Sequence, residues 1–283
     1  MITSYVKLLR VKHYIKNGLI FLPLLFGQKL FEPSSLIKTV IAFIAFCLAS
    51  SIVYIINDIQ DAPKDRLHPE KCHRPIASGA ITSKKAIIVM IVLTVLVAML
   101  QIVFIKNWLA FLVLCLYVLL NLAYSAGLKN IPIIDIAILG FGFFLRVVYG
   151  SLITGIAISG WLYLTVLSMS FYLGLGKRRN EKRSSKADTR KVLQYYNQEF
   201  LDKNMYLCLT LTIVFYSLWC VIAPIHEAAL WTIPFVLLIC MKYSLDVEGN
   251  SNGDPVEVLI GDKILLGLCA LYMVTMLLML YLY

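Results

Sequence analysis

The 283-residue chain is predicted to be all-α, a polytopic membrane protein of nine transmembrane helices forming one domain over residues 1–283. Three observations predict this. The composition is 60% hydrophobic and only 15% charged, more apolar than a soluble core of this size needs. Several apolar runs approach or exceed the ~20 residues that cross a bilayer. Basic residues are concentrated in alternate connections, the pattern that sets membrane orientation.

The nine spans are expected at approximately 17–30, 36–57, 86–105, 108–126, 131–153, 158–176, 204–223, 228–243 and 264–283. The first is short and contains Pro23, so it is expected to tilt or kink. Residues 1–16 before it are polar and basic, which does not make a cleavable signal peptide. That tail carries Lys7, Arg10, Lys12 and Lys16, and the connection between spans 2 and 3 carries Lys64, Arg66, Lys71, Arg74, Lys84 and Lys85. Lys129 follows span 4, and the connection after span 6 holds Lys177, Arg178, Arg179, Lys182, Arg183, Lys186, Arg190, Lys191 and Lys203. On the other side lie only Lys29, Lys38 and Lys106, and Arg146 sits within span 5. The N-terminus and the large connections are therefore expected in the cytoplasm and the C-terminus outside. Chemistry is expected on the inner side, because the outer connections are short and nearly featureless. The net charge of +10 reports orientation and attraction to anionic lipid or phosphate rather than nucleic acid.

The seven cysteines lie mostly in apolar runs with no CxxC pair, as small buried hydrophobes do. His68 and His73 are five apart, poor spacing for two metal ligands on one helix face.

One segment stands apart: NDIQDAPKDRLHPEKCHRPIASG, from Asn57 to Gly79, between two apolar spans. Asp58 and Asp61 are three apart and share a helix face, and Asn57 adds a neutral oxygen. Carboxylates collected at a membrane boundary repel one another unless a cation joins them. Mg²⁺ suits such a site, since it is usually held by one or two carboxylates plus substrate phosphates. The motif reads as half a site, Asn57, Asp58 and Asp61 for the metal, with a diphosphate as the other half. Pro63 disfavours helix at Ala62, so Asp65 is expected beyond a break, approaching from the loop. Arg66, His68, Lys71, Arg74 and Lys84 follow, and guanidinium groups suit phosphate oxygens, Arg74 foremost. The plainer reading of these charges is a solvated loop marking the inner side.

Span 5 carries Asp135 and Arg146, eleven residues or about three turns apart, with Gly142 and Tyr149 on or near the same face. Ionisable residues within a span are paired or face a cavity. Arg146 is a candidate for a lipid phosphate and Asp135 for orienting Lys129 or a sugar hydroxyl, with a structural ion pair as the alternative.

Asn57-Asp58-x-x-Asp61-x-x-x-Asp65, then Arg66-x-His68-Pro69 and Arg74-Pro75-Ile76-Ala77-Ser78-Gly79, resembles the UbiA superfamily of intramembrane prenyltransferases. Tyr124-Ser125-Ala126-Gly127-Leu128-Lys129 is similar to that family's tyrosine–lysine segment. The resemblance implies nine helices around a central cavity, Mg²⁺, and a site capped by cytoplasmic loops in a bacterial inner membrane. It places Asp58, Asp61, Asp65 and Lys129 in the catalytic machinery and Tyr124 among the substrate contacts.

The family's second aspartate-rich motif is absent. In its place stands Gly176-Lys177-Arg178-Arg179-Asn180-Glu181-Lys182-Arg183, which suggests a substrate with further phosphate groups. With Arg10-Val11-Lys12-His13-Tyr14-Ile15-Lys16-Asn17, Arg190 to Tyr196 and Gly253-Asp254-Pro255-Val256-Glu257, it resembles the decaprenyl-phosphate phosphoribosyltransferase branch. That resemblance implies transfer from 5-phosphoribosyl 1-diphosphate (PRPP) to a polyprenyl phosphate lipid. Lys16, Arg66, Lys71, Arg74, Lys177, Arg178, Arg179 and Glu181 are then substrate contacts, and the Lys177–Arg179 cluster is expected to take the 5-phosphate. The alternatives are an aromatic prenyltransferase using prenyl diphosphate and a non-enzymatic lipid or ion carrier. Against a carrier, the carboxylates lie at the inner interface and no internal repeat is visible. A homo-oligomer is left open.

Overall fold

A computed structural model describes residues 2–67, 71–183, 191–222, 226–249, 251 and 253–282. His68, Pro69, Lys186 and Arg190 lie outside the described residues. The described chain is helical: α1 Ile2–Leu9, a 3₁₀ stretch Val11–Phe21, α2 Leu22–Phe26, α3 Pro33–Asp65, α4 Ser83–Met99 with a π-helical extension Leu100–Ile105, α5 Trp108–Ala126, and α6 Ile134–Thr154. Then come α7 Gly160–Arg183, α8 Gln198–Ile222, α9 His226–Leu230, α10 Ile233–Glu248, α11 Pro255–Gly261 and α12 Lys263–Leu282. No strand occurs among the described residues.

Seven stretches among them are long and apolar enough to cross a membrane: α3, α4 with its extension, α5, α6, α8, Ala228–Glu248 and α12. Two of the nine expected spans fall outside this set. The first is a 3₁₀ stretch followed by the five-residue α2. The sixth is α7, long enough at 24 residues but charged over its final turns. Three expected boundaries also shift, because α3, α7 and α10 run past their apolar parts and carry polar residues onto the helix ends.

The chain divides into two compact units, residues 1–24, 29–126 and 145–156 in one, and 25–28, 127–144 and 157–283 in the other. In the first, Ile20, Ala42, Phe46, Ala110, Leu114, Tyr117, Leu145 and Tyr149 form one buried cluster. Leu8, Ile55, Ala62, Ile76, Ile81, Ala86 and Leu93 form another, to which the charged segment contributes Ala62 and Ile76. In the second, Ile136, Tyr172, Leu175, Val192, Leu193, Tyr196, Leu201, Met205, Tyr243, Val247, Val258 and Leu265 pack together.

At Gly150 the backbone of α6 comes close to that of the 3₁₀ stretch. A Cβ there would lie 2.1 Å from the carbonyl oxygen of Ile20. Backbone cannot yield as a side-chain tip can, and overpacking costs about 1–3 kcal/mol or more. Gly150→Ala is therefore expected to lower the thermal unfolding midpoint of the purified protein by several degrees. An unchanged midpoint would mean that the Val11–Phe21 stretch does not press on α6 at this point.

Candidate active site

The helix α3 does not stop at Pro63. Proline removes one ladder bond, the one that would reach Ile59, but the helix ends two residues later, so little is lost. The Arg66 N–H still bonds the Ala62 carbonyl at 3.2 Å. Asp65 is thus the last residue of α3 rather than a loop residue beyond a break. Asp58, Asp61 and Asp65 occur at i, i+3 and i+7, which places them on one face of one helix.

Two arginines close on that face. The Arg74 guanidinium donates through Nη1 to Asp65 Oδ2 at 2.7 Å and to Asp58 Oδ1 at 3.3 Å. Arg10 Nη2 donates to the same Asp58 oxygen at 2.5 Å. Asp58 is 2% exposed, while the two arginine side chains are about a quarter exposed. Buried carboxylates of this kind persist because they are paired.

Local structure fixes both arginines. Arg74 begins the Arg74–Gly79 turn, in which Ile76 and Ala77 are buried. Ser78 N–H bonds the Arg74 carbonyl at 2.9 Å, and Ile81 N–H bonds that of Pro75 at 2.9 Å. Gly79 reverses the chain at φ +79°, a conformation costly for other residues. Arg10 itself lies in the left-handed region, φ 53° and ψ 46°, between α1 and the 3₁₀ stretch. Such strain is retained only where surroundings impose it. Here the preceding Leu9 carbonyl accepts from Ser51 Oγ at 2.9 Å, and the Tyr14 hydroxyl lies 2.8 Å from the same Ser51 oxygen. The Arg10 guanidinium also stacks over the Tyr54 ring, 4.7 Å from its centroid.

Arg10 was not among the candidate contacts read from the sequence. Its signals were only its place in the opening basic stretch and a partner 48 residues away.

Whether this face suits Mg²⁺ turns on the oxygens present. Among the described residues, no group of three His, Cys, Asp or Glu side chains is gathered for a metal ion. Mg²⁺ needs fewer protein ligands when a diphosphate supplies the rest. Asn57 Oδ1 is buried and has no hydrogen-bond partner. An unsatisfied buried acceptor costs roughly 1–3 kcal/mol and calls for a partner. With Asp58 adjacent and Asp61 one turn on, the donor set fits a hard cation.

The remaining first-unit candidates lie nearby in sequence or on other elements. Arg66 is exposed just after α3, Lys71 is half-buried in a 3₁₀ turn, Lys16 is half-buried beside buried Asn17, and Tyr124 is half-buried near the end of α5. Arg146 is buried within its span. It donates from Nε to Asn17 Oδ1 at 2.7 Å and from Nη2 to the Tyr117 hydroxyl at 3.2 Å, and lies over the Phe46 and Tyr117 rings.

Asp135 and Arg146, on one helix, fall in different units. Asp135 belongs with the basic cluster. Its Oδ2 accepts from Arg178 Nε at 2.5 Å and its Oδ1 from the Tyr196 hydroxyl at 2.5 Å. Burial, and then this bond to Asp135, push the Tyr196 phenol above its ordinary pKa, so it stays a donor. Arg178 also donates from Nη1 to Glu181 Oε2 at 2.6 Å.

The flanking bases have acids of their own. Lys177 Nζ lies 3.4 Å from Asp254 Oδ2, and Arg179 Nε donates to Asp202 Oδ1 at 2.5 Å. Asp254 also caps α11, accepting from Val256 N–H at 3.0 Å, with Pro255 as its first helical residue. Gly253, at φ +71°, brings this loop onto α7, where a Cβ would meet Lys177 Cα at 3.0 Å. Thus Lys177, Arg178, Arg179 and Glu181 are helical residues, and Arg178 is wholly buried between two carboxylates. Lys129 is half-buried on a short 3₁₀ turn of the same unit.

Helical spans and an acidic helix face clamped by arginines are features of an intramembrane transferase. The chain belongs to the UbiA prenyltransferase family, whose model matches residues 19–247. It is an integral membrane protein. It is 32% identical over 271 residues to the decaprenyl-phosphate phosphoribosyltransferase of Corynebacterium glutamicum, covering 92% of this chain and 81% of that one. It is 31% identical over 287 residues to the enzyme of the same name from Mycolicibacterium smegmatis, covering 94% and 88%. In fold it is similar to a UbiA homologue from Archaeoglobus fulgidus bound to DMAPP and Mg²⁺, with a TM-score of 0.75, 18% identity, and coverage of 99% of this chain and 100% of that one.

Proposed function

We propose that the protein transfers the 5-phosphoribosyl group of PRPP to a polyprenyl phosphate, releasing diphosphate. The observation that carries this is the likeness, along most of both chains, to the two phosphoribosyltransferases. The basic Lys177–Arg179 stretch, in place of a second acidic motif, supports the same donor.

In this reading a phosphate oxygen of the lipid forms a bond to C1 of the ribose as the bond from C1 to the diphosphate breaks. The attacking phosphate is already ionised at neutral pH, so no strong general base is needed. The residues position the reactants and stabilise the leaving charge. Asn57, Asp58 and Asp61 would hold Mg²⁺, which when bound draws charge from a departing diphosphate. The Mg²⁺ reading is supported by the related structure that holds the ion. Arg10 and Arg74 would exchange carboxylate for diphosphate oxygens, and Asp65 would hold Arg74 until they do. Lys16, Arg66, Lys71, Tyr124 and Lys129 are proposed as further contacts to the two phosphorylated substrates, and Arg146 as a contact to the lipid phosphate. Lys177, whose side chain is the most exposed of the Lys177–Arg179 cluster, is the proposed contact to the 5-phosphate. Arg179 would support it from its pair with Asp202.

The test uses the purified chain in lipid nanodiscs with PRPP labelled in the ribose, polyprenyl phosphate and Mg²⁺. Label should move into the organic phase with one diphosphate released per transfer. Label remaining aqueous, while prenyl diphosphate alkylates an aromatic acid, would reject the proposal.

Arg10 provides a narrower test. Arg10→Gln keeps Arg74 on Asp58, so the fold should hold. Losing a charge-assisted bond to the diphosphate costs roughly 1.5–3 kcal/mol. The KM for PRPP should rise on the order of ten- to a hundredfold, with that for the lipid little changed. Equal effects on both substrates would remove Arg10 from the diphosphate.

A further inference from the structure

Four bonds run in series through the interior of the second unit. The Ile133 N–H donates to the Tyr196 hydroxyl oxygen at 2.7 Å, and that hydroxyl donates to Asp135 at 2.5 Å. Asp135 accepts from Arg178 at 2.5 Å, and Arg178 donates on to Glu181 at 2.6 Å. Tyr196, Asp135 and Arg178 are buried, the last two completely. At the other end of the series from Ile133, the Glu181 side chain is 21% exposed and reaches the surface.

A glutamate near the end of a helix ordinarily samples several rotamers, and fixing it costs up to ~2 kcal/mol of side-chain entropy. Here an interior arginine, itself fixed by an interior aspartate, holds one of its oxygens. The arrangement also assigns Arg178 a different part from the expected phosphate contact. Its guanidinium has no exposed surface, and two carboxylates face it.

An ionised carboxylate only accepts hydrogen bonds. It therefore suits sugar hydroxyls and disfavours phosphate oxygens. An acidic side chain taking ribose hydroxyls is the arrangement found where other folds bind nucleotides. Lys177 lies four residues before Glu181 on α7, so the two are neighbours on one helix face. Its side chain is 30% exposed, and its ammonium is 3.4 Å from Asp254, a loose pair. One face of α7 thus presents a cation and, one turn on, an aimed carboxylate. A phosphorylated sugar with vicinal hydroxyls carries the matching groups.

We propose that Glu181 reads the ribose hydroxyls of the phosphoribosyl donor, and that Arg178, Asp135 and Tyr196 are positioning residues that aim it. This rests on the phosphoribosyl reading above and adds a specificity element to it.

The test is titration calorimetry on the full chain in nanodiscs with Mg²⁺. The ligands are PRPP and its 2-deoxy-2-fluoro and 3-deoxy-3-fluoro analogues, each lacking one hydroxyl donor. Wild type should bind at least one analogue roughly tenfold more weakly than PRPP, the loss of one bond to a charged acceptor. Glu181→Ala leaves the buried Arg178–Asp135 pair intact. It should weaken PRPP by a similar factor and bind PRPP and that analogue within about twofold. Tyr196→Phe removes the bond to Asp135 without touching α7, and should erode the same preference while leaving affinity for inorganic diphosphate unchanged. A merely structural network would lower the unfolding midpoint and leave the preference intact. A Glu181→Ala protein with the wild-type preference, or a wild type with none, overturns the proposal. A wild type that binds no PRPP at all removes the phosphoribosyl reading together with it.

Discussion

Asp58→Asn is expected to reduce turnover on the order of 10³-fold, corresponding to about 4 kcal/mol of lost leaving-group stabilisation. The amide matches the carboxylate in size, and its oxygen still accepts from Arg10 and Arg74, so the buried site keeps its shape. What disappears is the charge that binds a cation. The unfolding midpoint should therefore stay within a few degrees while activity collapses, and raising Mg²⁺ should restore part of it. Asp61→Asn should follow the same course. Full turnover in either variant, measured on purified protein in bilayers, would remove that face of α3 from the chemistry.

The largest expected effect on stability lies in the second unit. Asp135→Ala takes from the wholly buried Arg178 guanidinium one of the two carboxylates that pair with it, the other being Glu181, and deprives Tyr196 of its acceptor. Breaking a buried pair from one side costs roughly 3–5 kcal/mol. The variant should be poorly folded or unfold far below wild type in detergent. Replacing both members, Asp135→Leu with Arg178→Met, should recover much of the loss, because apolar side chains of similar volume need no partner. Additive destabilisation in the double variant would contradict the pairing.

What was legible in the sequence depended on how local each feature is. The spacing of Asp58 and Asp61 encodes a shared helix face, so the acidic face of α3 could be read directly. Asp65 was misplaced because Pro63 signals a break, and the signal is weak in a last turn, where a missing N–H costs one bond. The apolar runs announced the spans, but not the polar continuations of α3 and α7, which extend because tertiary partners hold their charges. Arg178 illustrates the harder limit. Its basic neighbourhood was plain, but its partner Asp135 is 43 residues away and that of Lys177 is 77 away. Periodicity placed Asp135 and Arg146 on one face, but not in separate units with different partners. Arg10 was hidden for the same reason, its role arising from a turn conformation and a contact with α3.

The proposed function requires the Asn57–Asp61 face of α3 to hold a divalent cation together with the diphosphate of the donor. It is tested most directly by electron paramagnetic resonance of Mn²⁺, substituted for Mg²⁺, titrated into the purified chain with and without PRPP. PRPP should convert weak Mn²⁺ binding into tight, single-site binding. Asp58→Asn should abolish the PRPP-dependent step, whereas Glu199→Gln, in the exposed pair with Lys203 on α8, should leave it in place. Mn²⁺ binding that ignores PRPP, or that survives unchanged in Asp58→Asn, would contradict a cation site on this face.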